Sequence, residues 1–179
     1  MDGLLRIARG IDWLNEKVGR LAVWAVLVSC MVSAVNASLR YLISSSSNAW
    51  LELQWYLFGV MVLLGAPFVL KVNEHVRVDV IYSRLEPRRQ AIVDLFGMIF
   101  FLMPAAILLA WMSWPWFVDS FVTHEMSSNA GGLIRWPVKL LLPVGFGLLM
   151  LQGVSEIIKR VGYLKGVFSM DTQYQRPLQ

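Results

Sequence analysis

The chain has 179 residues, of which 57% are hydrophobic and only 16% are charged. Soluble domains carry roughly 25% charged residues, so this balance, with a mean hydropathy of +0.58, excludes an ordinary soluble globule. The net charge of +4 is divided among separate segments with no basic stripe, which argues against a nucleic-acid partner.

Residues 1–19 form an amphipathic arm. Leu4, Ile7, Ile11, Leu14 and Val18 recur at helical spacing, with Arg6, Arg9, Asp12, Glu16 and Lys17 elsewhere around the helix. That pattern predicts a helix lying in the membrane interface. The arm, the apolar run after it and Val35-Asn36-Ala37 imitate a signal peptide. The run exceeds a signal peptide's apolar region, so it is expected to remain as an anchor.

The first span covers about residues 21–43. Ser29, Ser33, Asn36 and Arg40 step by 4, 3 and 4 along it, a polar stripe expected to face other helices, since such side chains hydrogen-bond across membrane helix contacts. Cys30, the single cysteine, has no partner for a disulfide within the chain and is expected to be a small packing residue. Residues 44–49 then lead to a second span at about 50–72. So short a connection forces an antiparallel hairpin and brings Arg40 and Glu52 to similar depth. Trp50, Trp55 and Tyr56 suit the interfacial belt, and Pro67 predicts a kink.

Pro87 followed by Arg88 and Arg89 suits a helix start. The third span, about 91–117, has Asp94 in its first turn, Pro104 near its middle and Trp111, Trp114 and Trp116 toward its outer end. Its length predicts tilt or kinking. The 119–132 connection contains Ser127-Ser-Asn-Ala-Gly-Gly132, a flexible turn. Trp136-Pro137 opens a fourth span at about 133–158, with Arg135 and Lys139 four residues apart at one end and Gln152 and Glu156 four apart at the other. Residues 161–179 form a weakly patterned tail.

These elements predict an all-α membrane protein: the arm, a four-helix transmembrane domain over residues 20–160, and the tail. Lys and Arg concentrate in the arm, in residues 71–90 and after residue 158, and are absent from 44–49 and 119–132. Cytoplasmic loops carry the Lys/Arg excess, so both termini are expected in the cytoplasm.

An ionisable side chain inside a membrane helix costs roughly 2.5–3.5 kcal/mol on insertion scales and marks a candidate site. Arg40, Glu52, Arg135 and Lys139 all fall at the outer edge. They are expected to form a structural ion-pair knot, in which Glu52 meets either Arg40 or Arg135 and Lys139. A proton or ion relay wants several carboxylates or histidines at graded depths, and no span has a carboxylate at its middle. His75 and His124 lie in connections on opposite sides, which excludes a bis-histidine haem within the bundle and argues against an electron-transfer anchor. No metal-ligand spacing, phosphate loop, dinucleotide fingerprint or nucleophile elbow is present. Neither catalysis nor a cofactor in this chain is expected. A stand-alone oligomeric channel or exporter is the alternative, but the polar stripe covers only the outer half of the first span.

Three groups of residues resemble one family. Asn36-x-x-x-Arg40-Tyr41 closes the first span. Trp50-x-Glu52-Leu53-x-x-Tyr56-Leu57-Phe58 opens the second, followed by Leu64-Gly65-Ala66 and Glu74-His75-Val76-Arg77-Val78-Asp79. Trp136-Pro137-x-Lys139 opens the fourth, with Pro143-x-Gly145-Phe146 beyond it. In order and spacing, over about residues 15–160, the chain resembles the small DctQ-like membrane subunit of tripartite ATP-independent periplasmic (TRAP) transporters. The family often has a second acidic residue beside the position of Glu52, where this chain has Leu51 and Leu53. The resemblance implies a four-helix protein of the bacterial inner membrane with no transport site of its own. Its partners would be a large multi-span subunit carrying the sodium and substrate sites, a periplasmic solute-binding protein and the lipid bilayer. The 44–49 and 119–132 connections would face the binding protein.

Overall fold

The computed structural model describes residues 1–44, 47–73, 82 and 84–169. The Glu74–Asp79 motif, His75 and most of the tail lie outside them. The described helices are α1 (Asp2–Ile43), α2 (Asn48–Val72), α3 (Pro87–Gly97), α4 (Met103–Val122) and α5 (Trp136–Leu164). Residues Met98–Leu102 form a π-turn that joins α3 to α4. Four helices are thereby long and apolar enough to cross a membrane: Asp2–Ile43, Asn48–Val72, Pro87–Val122 and Trp136–Leu164.

The amphipathic arm is continuous with the first span. No break interrupts the 42 residues of α1, which at ~1.5 Å per residue extend about 63 Å, twice the ~30 Å hydrocarbon core. The inward face of α1 explains its continuity. Ala8, Ile11, Asn15, Val18, Ala22, Ala25, Ser29, Val32, Asn36 and Leu39 alternate by three and four, and each is buried or half-buried. This is a heptad seam, the pattern of helices that wrap one another at close range. Small residues along it let the backbones approach. Leu4, Ile7 and Leu14 of the arm's apolar face are exposed instead.

Capping closes the hairpin between α1 and α2. Ser44 takes the left-handed conformation that ends α1 (φ 52°). Ser47 caps α2, its hydroxyl accepting from the Ala49 N–H at 3.2 Å. Asn73, also left-handed, ends α2. Pro67 lies inside α2 and is buried.

The third span carries a register correction. Its buried positions are Gln90, Ala91, Met98, Ala106, Ser113 and Ser120, the last five with steps of 7, 8, 7 and 7. The extra residue falls in the π-turn, where the Met103 N–H bonds back to the Met98 carbonyl. Pro104 supplies the cause: it has no N–H, and in a regular helix its ring would strike the carbonyl of Phe100. The widened turn absorbs that clash and one residue together.

Helix α5 is the hub. It packs against α1, α2, α3 and α4, while α1 and α2 also pack on each other. The α3–α4 span finds its main partner in α5. At Gly145 α5 crosses α2 closely, since a Cβ there would lie 2.9 Å from the carbonyl oxygen of Leu63. Only glycine lets the two backbones meet.

The register correction is testable by deletion. Removing Phe100 should restore an unbroken seven-residue repeat and keep Ser113 and Ser120 against α5. Removing Leu108 instead should turn both about 100° away. Thermal unfolding in detergent should show the second deletion to be markedly less stable; equal losses would refute the seam.

Candidate functional site

Polar side chains gather at the two ends of α5. At one end the connection between α4 and α5 folds over the start of α2. Glu52, buried in the first turns of α2, accepts from the Asn129 side-chain amide at 2.8 Å, from the Leu133 N–H at 2.7 Å and from the Ser127 hydroxyl. Gly132 makes this possible: a Cβ there would collide with Ser127 Cβ and sit 3.0 Å from Glu52 Oε1. Asn48 donates to the Ala130 carbonyl at 3.0 Å, and the Tyr56 hydroxyl to the Ile134 carbonyl at 3.0 Å. The carboxylate thus holds a loop to a helix.

Beside it, Lys139 is buried, pairs with Glu125 and lies 4.2 Å above the Trp116 ring. An ammonium over an indole face gains from the ring quadrupole. The Lys139 hydrogen bond holds the Glu125 carboxyl below its ordinary value, with the Arg135 charge adding to the effect. Arg135 reaches the Ser127 hydroxyl at 3.4 Å, and so joins Glu52 through that hydroxyl.

The expected single knot therefore divides into two neighbouring arrangements, and Arg40 is in neither. Among the described residues no salt bridge links Glu52 to Arg40, Arg135 or Lys139. Arg40 is exposed, as is Ser33; Ser29 is half-buried and Asn36 buried. The reason is register. The seam runs Ser29, Val32, Asn36 and Leu39, and both exposed residues fall one position past it. Asn36 Oδ1 is buried without a hydrogen-bond partner.

The opposite end of α5 carries a larger network. Gln152, fully buried, receives a 2.9 Å hydrogen bond from Asn15 and donates to Asp12 at 2.8 Å and Glu156 at 3.0 Å. Ser155 donates to Asp12 at 2.7 Å. Lys159 bridges Asp12 and Glu156. Arg160, 2% exposed, bonds Glu156 and reaches Asp94 of α3 at 3.1 Å. Close by, Lys71 at the end of α2 pairs with Glu16 at 2.7 Å. The network ties α5 to α1 and to the third span, and the Lys71–Glu16 pair joins α2 to α1 beside it. Gln152, Glu156 and Asp94 stand out in the sequence as isolated polar residues. What would have joined Asp12 and Asn15 to them is the Ala8–Leu39 heptad pattern.

Among the described residues no group of three His, Cys, Asp or Glu side chains is placed to hold a metal ion. Between the two clusters, Leu140–Leu151 of α5 contains no charged or amide side chain, a gap of about 18 Å. The arrangement pins helices and a loop together at both ends and leaves the middle apolar.

Such a fold defines a small multi-pass membrane protein whose polar clusters join its helices to one another. The sequence model described as "Tripartite ATP-independent periplasmic transporters, DctQ component" matches residues 29–162. The chain belongs to this family, the small permease component of TRAP transporters, and is an inner-membrane protein. It is 30% identical over 110 residues to the isethionate TRAP transporter permease protein DctMQ of Oleidesulfovibrio alaskensis, covering 62% of this chain and 17% of that protein. It is also 30% identical over 81 residues to a Haemophilus influenzae protein described as "Putative TRAP transporter small permease protein", covering 45% of this chain and 50% of the relative. The chain thus spans half or less of the curated relatives it matches. No solved structure matches it.

Three substitutions separate the clusters' roles. Glu52→Ala should leave the Asn129 and Leu133 donors unpaired, and limited proteolysis should then cut the 125–135 connection faster; Arg40→Ala should leave the rate unchanged. Arg160→Met should cost about 3–5 kcal/mol in unfolding free energy, because it strips a cation from buried carboxylates. Chemical denaturation in detergent micelles reads this directly.

Proposed function

We propose that this chain is the non-catalytic small subunit of a TRAP-type secondary transporter for organic acids. It scaffolds a large sodium-coupled subunit and helps to dock a periplasmic solute-binding protein. Both termini face the cytoplasm, in line with the Lys/Arg distribution. The observation that carries the reading is the apolar interval Leu140–Leu151 between two structural polar clusters. Proton and ion pathways are lined by ionisable groups that face the bundle interior or a water-filled cavity, and the hub helix has none across that interval. Transport then belongs to a partner, and sodium with it.

Large apolar side chains exposed along α2 and α4, including Trp55, Phe58, Leu108 and Trp111, suit contact with lipid and with a larger membrane subunit. The isethionate relative bears the joint name DctMQ and is far longer than the stretch matched here, which favours a large partner for a separate small chain. The Glu52-clamped connection presents a fixed surface at the outer end, where a binding protein would arrive.

A tagged chain extracted in mild detergent from its native membranes should co-purify with a large multi-span protein. Proteoliposomes of the chain alone should show no solute flux. Recovery alone together with flux from the isolated chain would overturn the proposal and favour a stand-alone channel.

A further inference from the structure

The outward face of α1 carries a pattern that the helix seam does not use. Arg6, Arg9, Trp13, Lys17, Arg20 and Trp24 recur at intervals of three and four residues, on the side of α1 away from its buried seam, and all are exposed. Trp13 is 63% and Trp24 64% exposed. Arg20 pairs with Glu16 on the same helix, and Arg9 donates to the Leu5 carbonyl at 3.3 Å. Neither contact reaches another helix. By contrast, the cations that face inward at this end, Lys71, Lys159 and Arg160, each meet a carboxylate.

Loop charge alone does not account for this. The positive-inside bias depends on how many Lys and Arg lie near the end of a span, and it is indifferent to the face they occupy. Here they share one face with two tryptophans. Further exposed cations stand at the same end of the fold. Arg88 and Arg89 lie in the first turn of α3, where the helix dipole disfavours positive charge.

We propose that this face of α1 is a binding surface for anionic phospholipid headgroups. The cations complement the headgroup phosphates, and Trp13 among them suits the headgroup level, where indole rings partition, with Trp24 deeper on the same face. The length of α1 supports the placement. Residues before Leu21 lie beyond the apolar span, yet the helix continues without a break. Tilt of α1 toward this face brings its cations nearer the headgroups while its seam still meets α2 and α5. Each Lys or Arg held near an anionic surface is worth about a five-fold gain in association.

The test uses the full-length chain reconstituted in phosphatidylcholine vesicles with a minority of brominated lipid. Bromine quenches nearby tryptophan, and the signal of Trp13 is isolated by comparison with Trp13→Phe. Brominated phosphatidylglycerol should quench Trp13 at least several-fold more effectively than brominated phosphatidylcholine, and added salt should reduce the difference. The combined variant Arg6→Gln, Arg9→Gln, Lys17→Gln and Arg20→Gln should abolish the preference while its circular dichroism stays helical. Equal quenching by the two lipids, or a preference untouched by salt, would overturn the proposal without reference to the variant. A folded variant that keeps the preference would also overturn it.

Discussion

A buried polar group in a membrane protein is costly unless it finds a partner within the protein, and the architecture of this chain largely follows from that constraint, with Asn15 Oδ1 and Asn36 Oδ1 as exceptions. Gln152, Ser155, Glu156 and Arg160 project from one end of α5 into a setting without bulk water. Their partners are Asp12 and Asn15 on α1 and Asp94 on α3. An unpaired amide or charge there would cost several kcal/mol. The helices are consequently drawn to α5 and held in one register. This explains why a helix of moderate length, and not the 42-residue α1, is the hub.

Apolar packing alone could not set that register. Lipid tails are as apolar as leucine, so nothing hydrophobic drives one membrane helix onto another. Small residues permit approach, as Gly145 does against Leu63, and polar pairs then select the depth. The π-turn before Pro104 belongs to the same logic. It returns Ala106, Ser113 and Ser120 to the face already chosen by Ala91 and Met98.

Much of this was legible. Four apolar runs, their lengths and the short 44–49 connection predict four spans and a hairpin, and four described helices are long and apolar enough to cross a membrane. The start of the fourth helix at Trp136-Pro137 follows from proline's preference for the first turn. Glu52 draws attention because a carboxylate in an apolar run is costly. Its partners do not follow from that cost. They are Ser127, Asn129 and the Leu133 N–H, neutral donors in a loop more than seventy residues away, and charge matching favours distant cations over them.

The sequence by itself determined the class, the number of spans and the membrane setting, since these depend on composition and run length alone. Tertiary structure alone decided who pairs with whom. A shift of one residue around a helix turns a side chain by about 100°, enough to move Arg40 from the helix contact to the outside and to leave Glu125 as the partner of Lys139. Pattern in one helix leaves that angle open. Packing against α5 closes it.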